Sequence, residues 1–92
     1  MLTLPITRYW FDKIVSGTKK EEYRECTPYY SARFERHLGS CISVVIRAGY
    51  SQKSPMALLN VIINKGTGKP EWGASDGQTY YVLTIININA IK

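Results

Sequence analysis

One histidine, His37, and two cysteines, Cys26 and Cys41, make the chain poor in the side chains that bind transition metals. A single histidine excludes a zinc site built on two or more, and it leaves any Cys–His pair without an orienting partner. No metal and no cofactor are therefore expected. The two cysteines lie 15 positions apart in a chain without secretory features, so they read as free, partly buried thiols. No apolar stretch approaches the roughly 18 residues that a membrane span needs. The opening Met-Leu-Thr-Leu-Pro-Ile-Thr-Arg-Tyr-Trp has no basic segment leading into an apolar one, so it is not a signal peptide and a cytoplasmic location is expected. Acids are scarce as well, with 7 Asp and Glu against 12 Lys and Arg and a net charge of +5. That excess favours anionic partners, nucleic acid first. It is not polarised into a basic tail: residues 1–50 hold 8 bases and 5 acids, residues 51–92 hold 4 and 2.

What is present suffices for one domain over residues 1–92. Its 45% apolar and 21% charged residues are ordinary for a globular chain. A chain of this size buries only about 60–65% of its unfolded surface, so its stability is thin. Residues 1–6 alternate Leu2, Leu4 and Ile6 and read as a strand, with Pro5 marking an edge. Trp10, Phe11, Ile14 and Val15 predict an amphipathic helix over 8–16, capped by Thr7 before and Gly17 after, with the aromatic pair in the core. The charged stretch 19–26 reads as a strand that places Glu22, Arg24 and Cys26 on one face. Thr27-Pro28 opens a second helix, carried by Tyr30, Phe34 and Leu38 and ended by Gly39. Beyond it the period falls to two, and 41–47, 56–64 and 80–91 read as strands rich in Val and Ile. A turn spans 48–55, and a 16-residue glycine-rich loop spans 64–79. Two short helices cannot cover both faces of five strands, so the α+β order predicts a small, curled, barrel-like sheet with helices at its ends.

The informative stretch is Gly17-Thr18-Lys19-Lys20-Glu21-Glu22-Tyr23-Arg24, where a helix ends and a charged strand begins at once. A charged strand face in so small a domain is costly unless it is solvated or serves a pocket. A lysine acting as general base must fall from about 10.4 toward 7–8. Lys20 and Arg24 would push Lys19 that way, and Glu22 would push it back. The expected arrangement is a Lys19–Glu22 ion pair with Lys19 charged and holding an anion, Glu22 accepting from a base or sugar, and Arg24 gripping phosphate bidentately. In Lys69-Pro70-Glu71-Trp72 the indole either stacks on a base with Lys69 on phosphate, or plugs the barrel end. Gly66-x-Gly68-Lys69-Pro70 has the wrong spacing for a phosphate-binding P-loop. Tyr29, Arg33 and Arg36 form a face of the second helix that is either simply solvated or an extension of a binding surface, Arg47 and Tyr50 beside the Gly49 turn are candidates to line the same cleft, and His37 suits a helix end. Cys26 is a packed thiol rather than a nucleophile.

The pattern Gly17-x-Lys19-x-x-Glu22-x-Arg24 after an amphipathic helix resembles the signature of ASCH domains, which are related to the PUA fold. Leu4-Pro5-Ile6, Trp10-Phe11-Asp12-x-Ile14, Thr27-Pro28-Tyr29, Gly49-Tyr50-Ser51, Gly66–Ala74 and Tyr81-Val82-Leu83-x-Ile85 extend the likeness along the chain, toward the short stand-alone ASCH proteins of bacteria and phages. The resemblance implies a PUA-like β-barrel that binds RNA or a nucleotide in a cleft lined by Lys19, Glu22 and Arg24, with Tyr50, Lys69, Glu71 and Trp72 at its rim. It also implies an alternative, a small hydrolase acting on a modified nucleoside such as 4-acetylcytidine or on RNA. There Lys19 would be the base and Glu71 or Glu22 the acid partner, although Glu22 occupies the position of that group's threonine. A protein-interaction module is a third reading.

Overall fold

Thr27 and Pro28 act as their order dictates in the computed structural model, which describes residues 1–92. The Thr27 side chain accepts from the backbone N–H of Tyr30 at 3.3 Å, and Pro28 occupies the first helical position, where its missing N–H costs nothing. The elements are β1 (Thr3–Pro5), α1 (Arg8–Val15), β2 (Glu21–Glu25), α2 (Pro28–Phe34), β3 (Cys41–Arg47), β4 (Met56–Thr67) and β5 (Thr79–Ile91). One 3-10 turn, Glu35–His37, continues α2, and another, Pro70–Trp72, lies between β4 and β5. No helix is long and apolar enough to cross a membrane.

The five strands form one sheet in the order β1-β3-β4-β5-β2, with β1 parallel to β3 and the other pairs antiparallel. Its inner face follows the period of two: Ala57, Leu59, Val61 and Ile63 of β4 are all buried, as are Val44 and Ile46 of β3. Register shifts at Leu58/Leu59 and Asn60/Val61 bend the long β4–β5 ribbon. The sheet therefore curls into a half-barrel, giving the small α+β architecture that the element order predicts. Phe11 and Ile14 of α1 and Phe34 of α2 fill its concave side with Leu4, Tyr81 and Leu83. Phe34 lies parallel to Tyr30, with centroids 5.8 Å apart, and tilted against Tyr81 at 5.6 Å.

Three details depart from the sequence reading. β4 runs to Thr67 rather than 64, because Lys65, Gly66 and Thr67 keep pairing with Tyr81, Tyr80 and Thr79 beyond the end of the apolar run. The connecting loop shrinks to 68–78 and carries its own 3-10 turn. Both cysteines are free and exposed rather than partly buried. Cys26 follows the last residue of β2, where strand parity no longer directs its side chain, and its thiol lies 3.8 Å from the Thr79 carbonyl.

A polar tie joins α2 to the sheet. The fully buried Tyr81 sends its hydroxyl to Glu35, 2.9 Å from Ser31 Oγ, and Lys65 pairs with the same carboxylate at 3.0 Å. The Tyr81 hydroxyl first, and Lys65 second, hold the Glu35 carboxyl below its ordinary value of 4.5. A carboxyl lowered on folding stabilises the protein fully above 4.5 and loses that contribution as pH falls through 4.5 and below. Thermal unfolding of wild type should therefore weaken with falling pH in that window more steeply than that of Glu35→Gln. Because Glu35 is half-exposed the difference is small. Parallel curves would show that the tie contributes nothing.

Candidate functional site

β2 is an edge strand whose alternate side chains point in opposite directions. Glu22 pairs in register with Leu83 and Arg24 with Tyr81, so both charged residues face the concave side with the core. Lys19 joins them from the turn after α1. Gly17 makes that turn with φ +83°, a left-handed conformation that glycine adopts without a steric penalty. The backbone N–H of Lys19 then donates back to Lys13 at 2.9 Å. Lys19 ends 3% exposed and Glu22 7%.

The buried charges form a chain. Lys19 Nζ donates to Glu22 Oε1 at 3.0 Å and to the backbone carbonyl of Trp72 at 2.5 Å, and it sits 4.2 Å from the centre of the Trp10 ring. Glu22 Oε2 accepts from an Arg24 Nη2–H at 2.7 Å. Arg24 donates further to the Pro5 carbonyl at 2.9 Å and the Tyr30 hydroxyl at 3.1 Å. One carboxylate therefore ties the 68–78 loop, through Lys19, to β1 and α2, through Arg24. The Arg24–Pro5 contact also spans the open side of the half-barrel, since β1 and β2 are the two edges of the sheet.

These contacts decide what each group can do. The three ammonium donors of Lys19 are met by a carboxylate, a carbonyl and an aromatic face, so none is left for a ligand. Both Glu22 oxygens are engaged. Arg24 differs: three of a guanidinium's five N–H donors are used, which leaves two. It lines a polar cleft of about 430 Å³ together with Tyr23, Glu25, Thr27 and Tyr30, and with Ser75, Gln78 and Tyr80 from the 68–78 loop and β5.

The cleft walls are fixed by tyrosine hydroxyls. Tyr23 donates to Glu21 at 2.7 Å and accepts from the Lys69 N–H at 3.0 Å, while Tyr80 accepts from the Ser75 N–H at 2.9 Å. Burial pushes the Tyr23 phenol up to about 12, and Glu21 adds to the rise against the Lys69 N–H. Gly68 is required here by space: a Cβ would lie 2.8 Å from the Tyr23 ring and 2.6 Å from Ala74.

Comparison with protein-family models, curated proteins and solved structures finds no match to this chain.

The structure brings Lys19, Glu22 and Arg24 together as their spacing predicts. Trp72 meets the group through its carbonyl, while its half-buried indole lies 4.6 Å beneath the Lys69 ammonium. Trp10 is the indole that packs below the loop, 3.1 Å from where a Cβ on Gly73 would stand. Glu71 is exposed on its 3-10 turn and pairs with no cation. Tyr50 is 90% exposed and edges a separate hollow beside residues 5–8. No three His, Cys, Asp or Glu side chains converge as metal ligands would. Sequence reasoning missed Tyr23, Thr27, Tyr30, Ser75, Gln78 and Tyr80 as cleft residues. A signal for two of them existed, since Thr27 caps the helix that carries Tyr30 and both follow directly after β2.

Proposed function

We propose that this protein is an ASCH-type module of the cytoplasm that binds RNA or a nucleotide in the tyrosine-lined cleft. The observation that carries the reading is Arg24. Its guanidinium is held by a carboxylate, a carbonyl and a phenol, two of its five donors have no partner, and the residue lines the polar hollow. Such a fork suits a phosphate, and about 430 Å³ lies within the usual range of small-molecule sites. Gln78 and Ser75 supply the amide and hydroxyl that read a base edge, and tyrosine rings supply stacking surface. The net charge of +5 attracts the same ligands. Lys19 and Glu22 serve as positioning groups in this reading, which differs from a lysine gripping the anion itself. A hydrolytic role for Lys19 would require it to give up both Glu22 and the Trp72 carbonyl.

The test is a titration of a short single-stranded RNA and of the nucleoside monophosphates, followed by backbone-amide NMR. Shifts should cluster at residues 23–27 and 73–80, and RNA affinity should fall steeply with salt as phosphate contacts release counterions. Gln78→Ala and Arg24→Lys should each weaken binding about tenfold, the second because an ammonium cannot fork. Circular dichroism must show both variants folded. Absence of binding, or binding that neither substitution alters, would sink the proposal and return the protein-interaction reading.

A further inference from the structure

A second cationic hollow lies at the far end of α2. About 310 Å³ in volume, it is lined by Arg33, Arg36, His37 and Ser43 over an apolar floor of Leu2 and Ile42. We propose that this hollow binds a phosphate group, independently of the tyrosine cleft.

Three observations carry it. First, no carboxylate neutralises the two guanidiniums: Arg33 and Arg36 take part in none of the protein's ion pairs. Glu35, the one acid between residues 27 and 43, is committed to Tyr81 and Lys65. Two guanidiniums without acids on one small hollow repel each other, and an anion between them removes that cost.

Second, the donors are preset. Arg33 stacks on the Tyr29 ring at 3.4 Å and donates to the Tyr29 carbonyl at 2.8 Å, which fixes its plane and leaves its other donors free. Arg36 Nε donates to His37 Nε2 at 3.3 Å, and both Arg36 Nη groups remain without a partner. Third, Ser43 spends its hydroxyl proton on Asn60 Oδ1 at 2.7 Å. It does not compete for the arginine donors as a charged acceptor would. Forked donors without competing acids match the tetrahedral oxygens of a phosphate, and the apolar floor leaves room for the group that bears it.

The experiment titrates inorganic phosphate into isotope-labelled protein at constant ionic strength, with chloride as the balancing anion, and follows the arginine Nε–H and backbone signals of residues 33–37 and 42–43. Saturable shifts are expected there. Arg33→Gln should weaken binding about tenfold, the double variant Arg33→Gln with Arg36→Gln should abolish it, and Gln78→Ala in the other cleft should leave it unchanged. Two further ligands separate the sources. A nucleoside 5′-monophosphate that saturates where an oligonucleotide without terminal phosphate does not identifies a phosphomonoester. Tighter binding of the oligonucleotide, lost in the double variant, identifies a backbone phosphodiester. Shifts reproduced by chloride alone, or saturation that the double variant retains, would overturn the proposal.

Discussion

Glu22→Gln is expected to cost about 3–5 kcal/mol of folding stability, because it removes one partner of a buried ion network and strands the others. The carboxylate is the only anion between the buried Lys19 and the partly buried Arg24, with one oxygen 3.0 Å from Lys19 and the other 2.7 Å from Arg24. A glutamine can offer its carbonyl to one of them. Its NH2 then turns a donor toward the other, and the two cations face each other without screening. For a domain of this size the loss lowers the thermal midpoint by on the order of 20 °C. It takes up much of the roughly 5–15 kcal/mol that such a domain has in total. Lys19→Met should cost less, since Glu22 keeps Arg24, and its main penalty is the orphaned Trp72 carbonyl. The double variant should be less destabilised than the sum of the two singles, because the second change removes one of the stranded cations. Denaturant unfolding of the four proteins measures the cycle. Strict additivity, or a Glu22→Gln cost below about 1 kcal/mol, would mean that water screens the network.

Phe34→Ala is the second large effect, also about 3–5 kcal/mol, as the transfer loss and the cavity add. Phe34 is fully buried between Tyr30 and Tyr81, so truncation leaves two tyrosine rings facing a void. The consequence reaches the cleft, because the Tyr30 hydroxyl is one of the three acceptors that hold Arg24. Phe34→Leu refills most of the space and should cost less than half as much, with the Arg24 Nε–H signal close to its wild-type position. If the alanine variant unfolds at the wild-type denaturant midpoint, α2 packs on the sheet through other side chains and the proposed link to Arg24 fails.

Much of the architecture could be read from residues whose local physics has one solution. Thr27-Pro28 allows only a helix start, and the Val and Ile runs of β3, β4 and β5 allow little but buried strands. The grouping of Lys19, Glu22 and Arg24 was readable because a strand repeats every second residue and the preceding turn delivers the lysine. What the sequence left open depends on partners distant along the chain. Nothing local says that the Trp72 carbonyl, 53 residues beyond Lys19, consumes a lysine donor. Nor does local pattern reveal that Tyr80 and Gln78 come to line one cleft with Arg24, since that follows from the pairing of β2 with the distant β5. Tyr50 and Glu71 were drawn into the site by proximity in sequence to suggestive motifs, and folding places both on exposed turns.

The strand order has a consequence for how the chain folds during synthesis. β2 emerges early, yet its only sheet neighbour is β5, at residues 79–91. Until β5 is made, Glu22 and Arg24 lack the wall that excludes water, and Lys19 lacks the Trp72 carbonyl. Pairings so far apart in sequence require a large loop closure before they return any energy, which makes their formation slow. The hairpin of β3 and β4 can form locally, but its Val- and Ile-rich β4 edge then waits exposed for the strand that covers it. A nascent chain of this protein is therefore most exposed to misassociation in the interval between completing β4 and completing β5.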